Sequence, residues 1–91
     1  MTMGIALDPT DLRPTLTRLK RARGQLDAVI RMMEEGRDCE EVVVQVAAVS
    51  KAVDRAGLAI IASGMRACLA QDPSGQVLDA TRLEKLFMSL A

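Results

Sequence analysis

An all-α protomer, two long antiparallel helices and a short C-terminal one, is predicted by three features. These are a helical spacing of apolar residues in the first third, a run of some thirty residues without proline in the middle, and a short amphipathic tail after a turn. In the first segment Pro9, Thr10 and Asp11 supply helix-start chemistry, and Leu12, Leu16, Leu19, Leu26, Ile30 and Met33 recur in steps of three and four, describing one apolar stripe. Gly36 is the expected stop. Asp38, followed three residues later by Glu41, has the form of an N-cap with a return partner, so a second helix should begin here and run from Cys39 to about Ala70. Val42, Val43, Val44 and Val46 could be read as a strand, but their unbroken continuation fits a helix. Within it, Gly57 and Gly64 are expected to permit close approach of a neighbouring helix. Asp72-Pro73-Ser74-Gly75 is a turn, and residues 77–91 offer the third helix, with Leu83, Leu86, Phe87 and Leu90 on its apolar side.

The second helix is apolar almost all round, and a two-layer hairpin cannot hide every face of it. A second chain is therefore expected, paired antiparallel to give a four-helix bundle. Residues 1–8 have no periodicity and are expected to be a flexible N-terminal arm, leaving 9–91 as a single all-helical domain. A chain of 91 residues is short enough to gain from a partner subunit.

Composition narrows the function. The chain has one Phe, no Trp, no Tyr and no His. Stacking on nucleic-acid bases is excluded as a main mechanism, and the commonest general base and metal ligand is missing, so an enzyme is not expected. Twelve Lys and Arg balance twelve Asp and Glu, but unevenly: residues 13–37 hold seven bases (Arg13, Arg18, Lys20, Arg21, Arg23, Arg31, Arg37) against three acids. An anionic partner would meet the first helix. Arg18, Arg21 and Gln25 form a three-and-four series, and Lys51 and Arg55 form another on the second helix. No membrane span or secretion signal is evident, and a cytoplasmic location is expected, in which two cysteines are read as thiols.

Cys39 and Cys68 lie 29 positions apart on the second helix. Twenty-nine steps close eight turns with about 20° left over, so the thiols share a face, but the standard rise separates them by about 43 Å. They cannot touch within one straight helix. In an antiparallel pair related by a two-fold axis midway between them, between Val53 and Asp54, Cys39 of one chain comes level with Cys68 of the other. Ala52, Ala56 and Gly57 beside that midpoint let the helix axes approach. The competing reading, two buried cysteines acting as small hydrophobes, explains neither the shared face nor the symmetric placement.

The segments Arg18-Leu19-Lys20-Arg21-Ala22-Arg23-Gly24-Gln25-Leu26, Met32-Met33-Glu34-Glu35-Gly36-Arg37-Asp38-Cys39 and Gln45-Val46-Ala47-Ala48-Val49 resemble the CsoR/RcnR/FrmR family of small helical bacterial repressors, over roughly residues 12–87. The resemblance implies a dimer of dimers and operator-DNA binding to which Arg18, Lys20 or Arg21, and Arg55 contribute, with Lys51 beside them. In the copper-sensing branch it implies two cysteines and one histidine drawn from two chains. Cys39 and Cys68 match the cysteines, Gly64 stands where the histidine is expected, Asp38 stands where a supporting tyrosine is expected, and Glu84 corresponds to a supporting glutamate on the third helix. Thr2 replaces the proline of the formaldehyde-sensing branch. The remaining pattern is similar to the dithiol-only CstR-like branch, which implies a repressor needing no metal or cofactor. Persulfides or polysulfides would react with the inter-subunit pair, release the operator and derepress sulfide-detoxification genes; the helix-start dipole at Cys39 makes it the expected first thiol to react. The alternative is a Cu(I)-responsive repressor with a two-thiolate site; a helical adaptor with inert cysteines would bind no DNA.

Overall fold

A computed structural model describes residues 7–76 and 79–90 of the chain. It contains three helices, α1 (Arg13–Glu34), α2 (Cys39–Gln71) and α3 (Ala80–Leu90), in an elongated body 55 × 26 × 17 Å. The all-α expectation holds. Of the arm expected over residues 1–8, residues 1–6 lie outside the described residues, as do residues 77, 78 and 91 of the third segment.

The start of α1 departs from expectation. Leu12 occupies the N-cap position and offers no side-chain cap, and Pro14 in the first turn supports the helix start with its fixed φ. Asp11 does not cap α1. Its carboxylate reaches across to α2, where Oδ2 accepts from the Ser63 hydroxyl at 2.6 Å and from Arg66 Nη2 at 2.8 Å. At the other end Gly36, with φ +70°, closes the helix as expected: its N–H donates to Met33 O and the Arg37 N–H donates to Met32 O, satisfying two carbonyls of the last turn of α1.

Asp38 caps α2 as the sequence indicates, its Oδ2 accepting from the Glu40 and Glu41 N–H groups at 3.1 and 3.3 Å. The return arm is different. Glu41 is held by Arg37, one turn back, with Nη2 3.0 Å from Oε2. Asp38→Ala should cost about 1 kcal/mol, the usual value of an N-cap. A lowered midpoint with an unchanged slope in urea unfolding is the expected reading.

The apolar stripe of α1 is placed unexpectedly. Leu16, Leu26, Ile30 and Met33 are exposed, and the residues that α1 buries are Thr15, Ala22 and Val29, seven apart. On α2 the buried residues Val49, Ala56 and Ser63 are also seven apart. With α2 running antiparallel and Asp11 bonded to Ser63, Thr15 comes level with Ser63, Ala22 with Ala56 and Val29 with Val49. The hairpin therefore closes on a seam of small side chains, which lets the two axes approach, and turns its bulky residues outward. Val43, Val44, Val46 and Val53 of α2 are exposed as well. That is the face a second chain was expected to cover.

From the turn after α2, α3 folds back along it. Asp79 Oδ1 accepts from the Arg82 N–H at the first turn of α3, and Leu83 is buried. A Cβ on Gly57 would lie 2.7 Å from Leu90 Cδ1, so Gly57 admits α3 of its own chain, and Ala56 is already buried within the protomer; neither is left open to the partner helix expected at this midpoint. Gly64 serves no such approach; the nearest side chain to a Cβ there is Leu7, at an ordinary 3.7 Å.

Candidate functional site

Two groups of residues carry chemistry. The first is the thiol pair. Both cysteines lie on α2, which runs unbroken for 33 residues. Cys39 is its first residue and is exposed, whereas Cys68 lies in its last turn and is 2% exposed within the protomer. A continuous helix with a rise of about 1.5 Å per residue holds the two about 43 Å apart, so one chain cannot bring them together. The cap on Asp38 and the Arg37–Glu41 ion pair fix where α2 begins and thereby where Cys39 stands. Among the described residues no group of three or more Cys, Asp or Glu side chains could hold a metal ion within the chain.

The second group is cationic. Arg18, Arg21 and Gln25, on one side of α1, and Ala52 and Arg55, on the facing side of α2, line an open recess of about 350 Å³ floored by Ala22. The three-and-four spacing on α1 aims its two guanidinium groups at the same side, and the small residues of the seam let Arg55 converge on them from the neighbouring helix. Three guanidinium groups, rich in fixed N–H donors and lacking acceptors, make a receptor for phosphate oxygens. Lys20 and Lys51, expected with them, are exposed and do not line the recess. Four bases within residues 18–23 cannot all share one face.

Glu84 is exposed on α3. With Leu90 against Gly57 and α3 antiparallel to α2, Leu83 comes about level with position 64, so Glu84 lies alongside the C-terminal third of α2, where Cys68 is.

Sequence reasoning missed the Asp11–Ser63–Arg66 cluster. The Ser63 hydroxyl first, and Arg66 second, hold the Asp11 carboxyl below its ordinary pKa. Its folded pKa being depressed, the contribution of this cluster is complete above the ordinary aspartate pKa and is lost as pH falls through the folded value.

No described helix is long and apolar enough to cross a membrane. The sequence matches the family described as metal-sensitive transcriptional repressor over residues 11–89. It is 39% identical over 67 residues to the copper-sensing transcriptional repressor CsoR of Mycobacterium ulcerans (strain Agy99), covering 74% of this chain and 54% of that protein. It is 36% identical over 56 residues to the protein of the same name from Mycobacterium tuberculosis (strain ATCC 25618 / H37Rv), covering 62% of this chain and 47% of that one. The chain thus spans about half the length of these curated relatives. No solved structure matches it significantly.

Proposed function

This chain belongs to the metal-sensitive transcriptional repressor family, and from that premise we propose that it binds operator DNA through the Arg18–Arg21–Arg55 recess and releases it when an effector engages a Cys39–Cys68 pair formed across two copies. The observation that carries the reading is the unbroken α2: a rod with thiols at opposite ends yields a dithiol site only beside a second, antiparallel rod. The outward-facing leucines and valines supply the apolar surface for that pairing. A homotetramer, two such pairs, extends the same apolar logic through Leu86, Phe87 and Met88 of α3.

The favoured effector is Cu(I). The family is metal-sensitive, the relatives are named as copper-sensing, and two thiolates are the soft donors that select this ion. With no imidazole anywhere in the chain, coordination rests on sulfur, with Glu84 in support from α3.

A second reading is favoured by that same absence of histidine. A dithiol can respond to reactive sulfur with no metal. The Cys39 thiolate attacks the outer sulfur of a low-molecular-weight persulfide, forming Cys39–S–SH and expelling the donor's thiolate. The Cys68 thiolate of the second copy then attacks the inner sulfur, forming a disulfide and releasing hydrosulfide.

One experiment separates the two. Operator binding is followed by fluorescence anisotropy while Cu(I) is delivered under a competing chelator, and separately while polysulfide is added in metal-free buffer with intact-mass analysis. Stoichiometric copper uptake that frees the DNA supports the metal reading. Covalently linked dimer appearing as DNA is freed, with copper inert, supports the sulfur reading. DNA binding unaffected by both overturns the assigned site.

The cationic recess has its own test. Binding through phosphates makes log K fall linearly with log salt, at about 0.9 per phosphate neutralised. Arg55→Ala should weaken operator binding and flatten this slope by about 0.9 for each phosphate lost. Lys20→Ala, off the recess, should change the slope less. Equal slopes for Arg55→Ala and the unmodified protein would remove Arg55 from the contact surface.

A further inference from the structure

Three guanidinium groups suffice for phosphate, but the recess they line holds a fourth long side chain that phosphate does not call for. Gln25 lies beside Arg18, Arg21 and Arg55 there. Among the described residues none of these four side chains has a hydrogen-bond or ion-pair partner. The arginines offer donors only, and a phosphate oxygen only accepts. The Gln25 amide carries both kinds of group, and it supplies the one acceptor among the described side chains that line the recess. The helix surface around it is bare. At about 100° per residue, Arg18, Arg21, Gly24, Gln25 and Ala28 fall within an arc of about 120° centred opposite Ile30, and neither acid of α1, Asp27 or Glu34, falls inside it. Gly24 is exposed in this arc, and a Cβ there would meet nothing within 4 Å. Glycine in mid-helix is unfavourable relative to alanine. Unlike Gly57, then, Gly24 answers to no neighbour in its own chain, and the notch it leaves beside Arg21 and Gln25 opens outward.

We propose that Gln25 is the base-reading residue of the recess, its amide pairing with an adenine edge in the major groove while Arg18, Arg21 and Arg55 hold the neighbouring phosphates and Gly24 admits the duplex to the surface of α1. The inference rests on the operator-binding reading and deepens it. Phosphate contacts set register and carry no sequence information; that information comes from base edges. Of the edges the major groove offers, only adenine sets an acceptor, N7, beside a donor, the N6 amino group. A primary amide matches that pair with two hydrogen bonds, donating to N7 and accepting from N6, and a guanidinium cannot. One residue thus discriminates where three others only bind.

The test is selection from a library of randomised duplexes by the full-length protein without effector, followed by anisotropy titration of the selected duplex. The unmodified protein should enrich a motif containing an A·T pair at which 7-deazaadenine, lacking N7, weakens binding. Gln25→Ala, an exposed change to a better helix former, should enrich the same motif with that position randomised. Its discrimination there should fall by about 5- to 150-fold, with the salt slope unchanged because no phosphate partner is lost. Gly24→Leu should raise Tm and yet weaken binding to the selected duplex. An identical motif of equal strength from Gln25→Ala overturns the inference and leaves the operator reading standing. An equal loss of affinity on every duplex makes Gln25 a phosphate contact and overturns it too, as does binding by the unmodified protein that enriches no motif. Undiminished binding by Gly24→Leu overturns the close approach. Failure of the unmodified protein to bind any duplex at low salt overturns the operator reading itself.

Discussion

Protein carrying Cys39→Ser and protein carrying Cys68→Ser should each bind operator DNA and each fail to release it when effector is added, yet an equal mixture of the two, allowed to exchange subunits, should recover part of the response. The reason is geometric. In an antiparallel pair made of one chain of each kind, the surviving Cys39 of one copy faces the surviving Cys68 of the other, and one of the two sites is complete. With random exchange, half of the pairs are mixed and carry one intact site, so about one site in four is restored. Each single substitution should cost the whole effector response, a change in operator affinity of about 1–3 kcal/mol, or some 5- to 150-fold. If the thiols worked within one chain, the mixture would be as unresponsive as either parent. Effector uptake by the mixture, measured per chain against the unsubstituted protein, is the decisive quantity.

The second large effect concerns the seam between α1 and α2. Ala56 is 1% exposed and comes level with Ala22, 3% exposed, in the middle of the seam. Ala56→Leu adds three carbon atoms to a gap that holds none, and overpacking of this kind costs about 1–3 kcal/mol. For a domain of this size that corresponds to a fall in Tm of roughly 5–20 °C. Because Arg55 is the adjacent residue, the arginine recess should be distorted with it, and operator affinity should fall in parallel. A thermal melt followed by circular dichroism gives the first result and anisotropy the second. An Ala56→Leu protein with unchanged Tm would mean that the helices do not meet at this register.

The limits of α2 were legible because they are set locally. Asp38 is a cap whatever surrounds it, proline is absent from the run that follows, and the helix starts at Cys39 as the sequence indicates. The end of α1 was legible for the same reason, since only Gly36 can take the left-handed turn cheaply. The seam was not. Weighing periodicity by bulk selects Leu16, Leu26, Ile30 and Met33, and these face outward; the residues that meet α2 are Thr15, Ala22 and Val29, visible only as small side chains seven apart on both helices. Nor was the Asp11 cluster, because its partners lie 52 and 55 positions along the chain, and nothing local distinguishes an aspartate that caps its own helix from one that reaches another. In the cationic recess, the turn-by-turn spacing picked out Arg18, Arg21 and Arg55, but the same spacing also brought in Lys51, and the family resemblance brought in Lys20, neither of which lines it.

The arginines of the recess are mounted on two different helices, and the joint between those helices is built of threonine, serine, alanine and valine rather than interlocked large side chains. On the proposed operator-binding reading, such a joint would work like the jaws of a calliper. Displacing α2 along α1 by the rise of a single residue, about 1.5 Å, changes the gap between Arg55 and the Arg18–Arg21 pair by a comparable amount while leaving each helix whole. Neighbouring phosphates on a duplex have a fixed pitch, so a gauge set to that pitch in one position misreads it in the other.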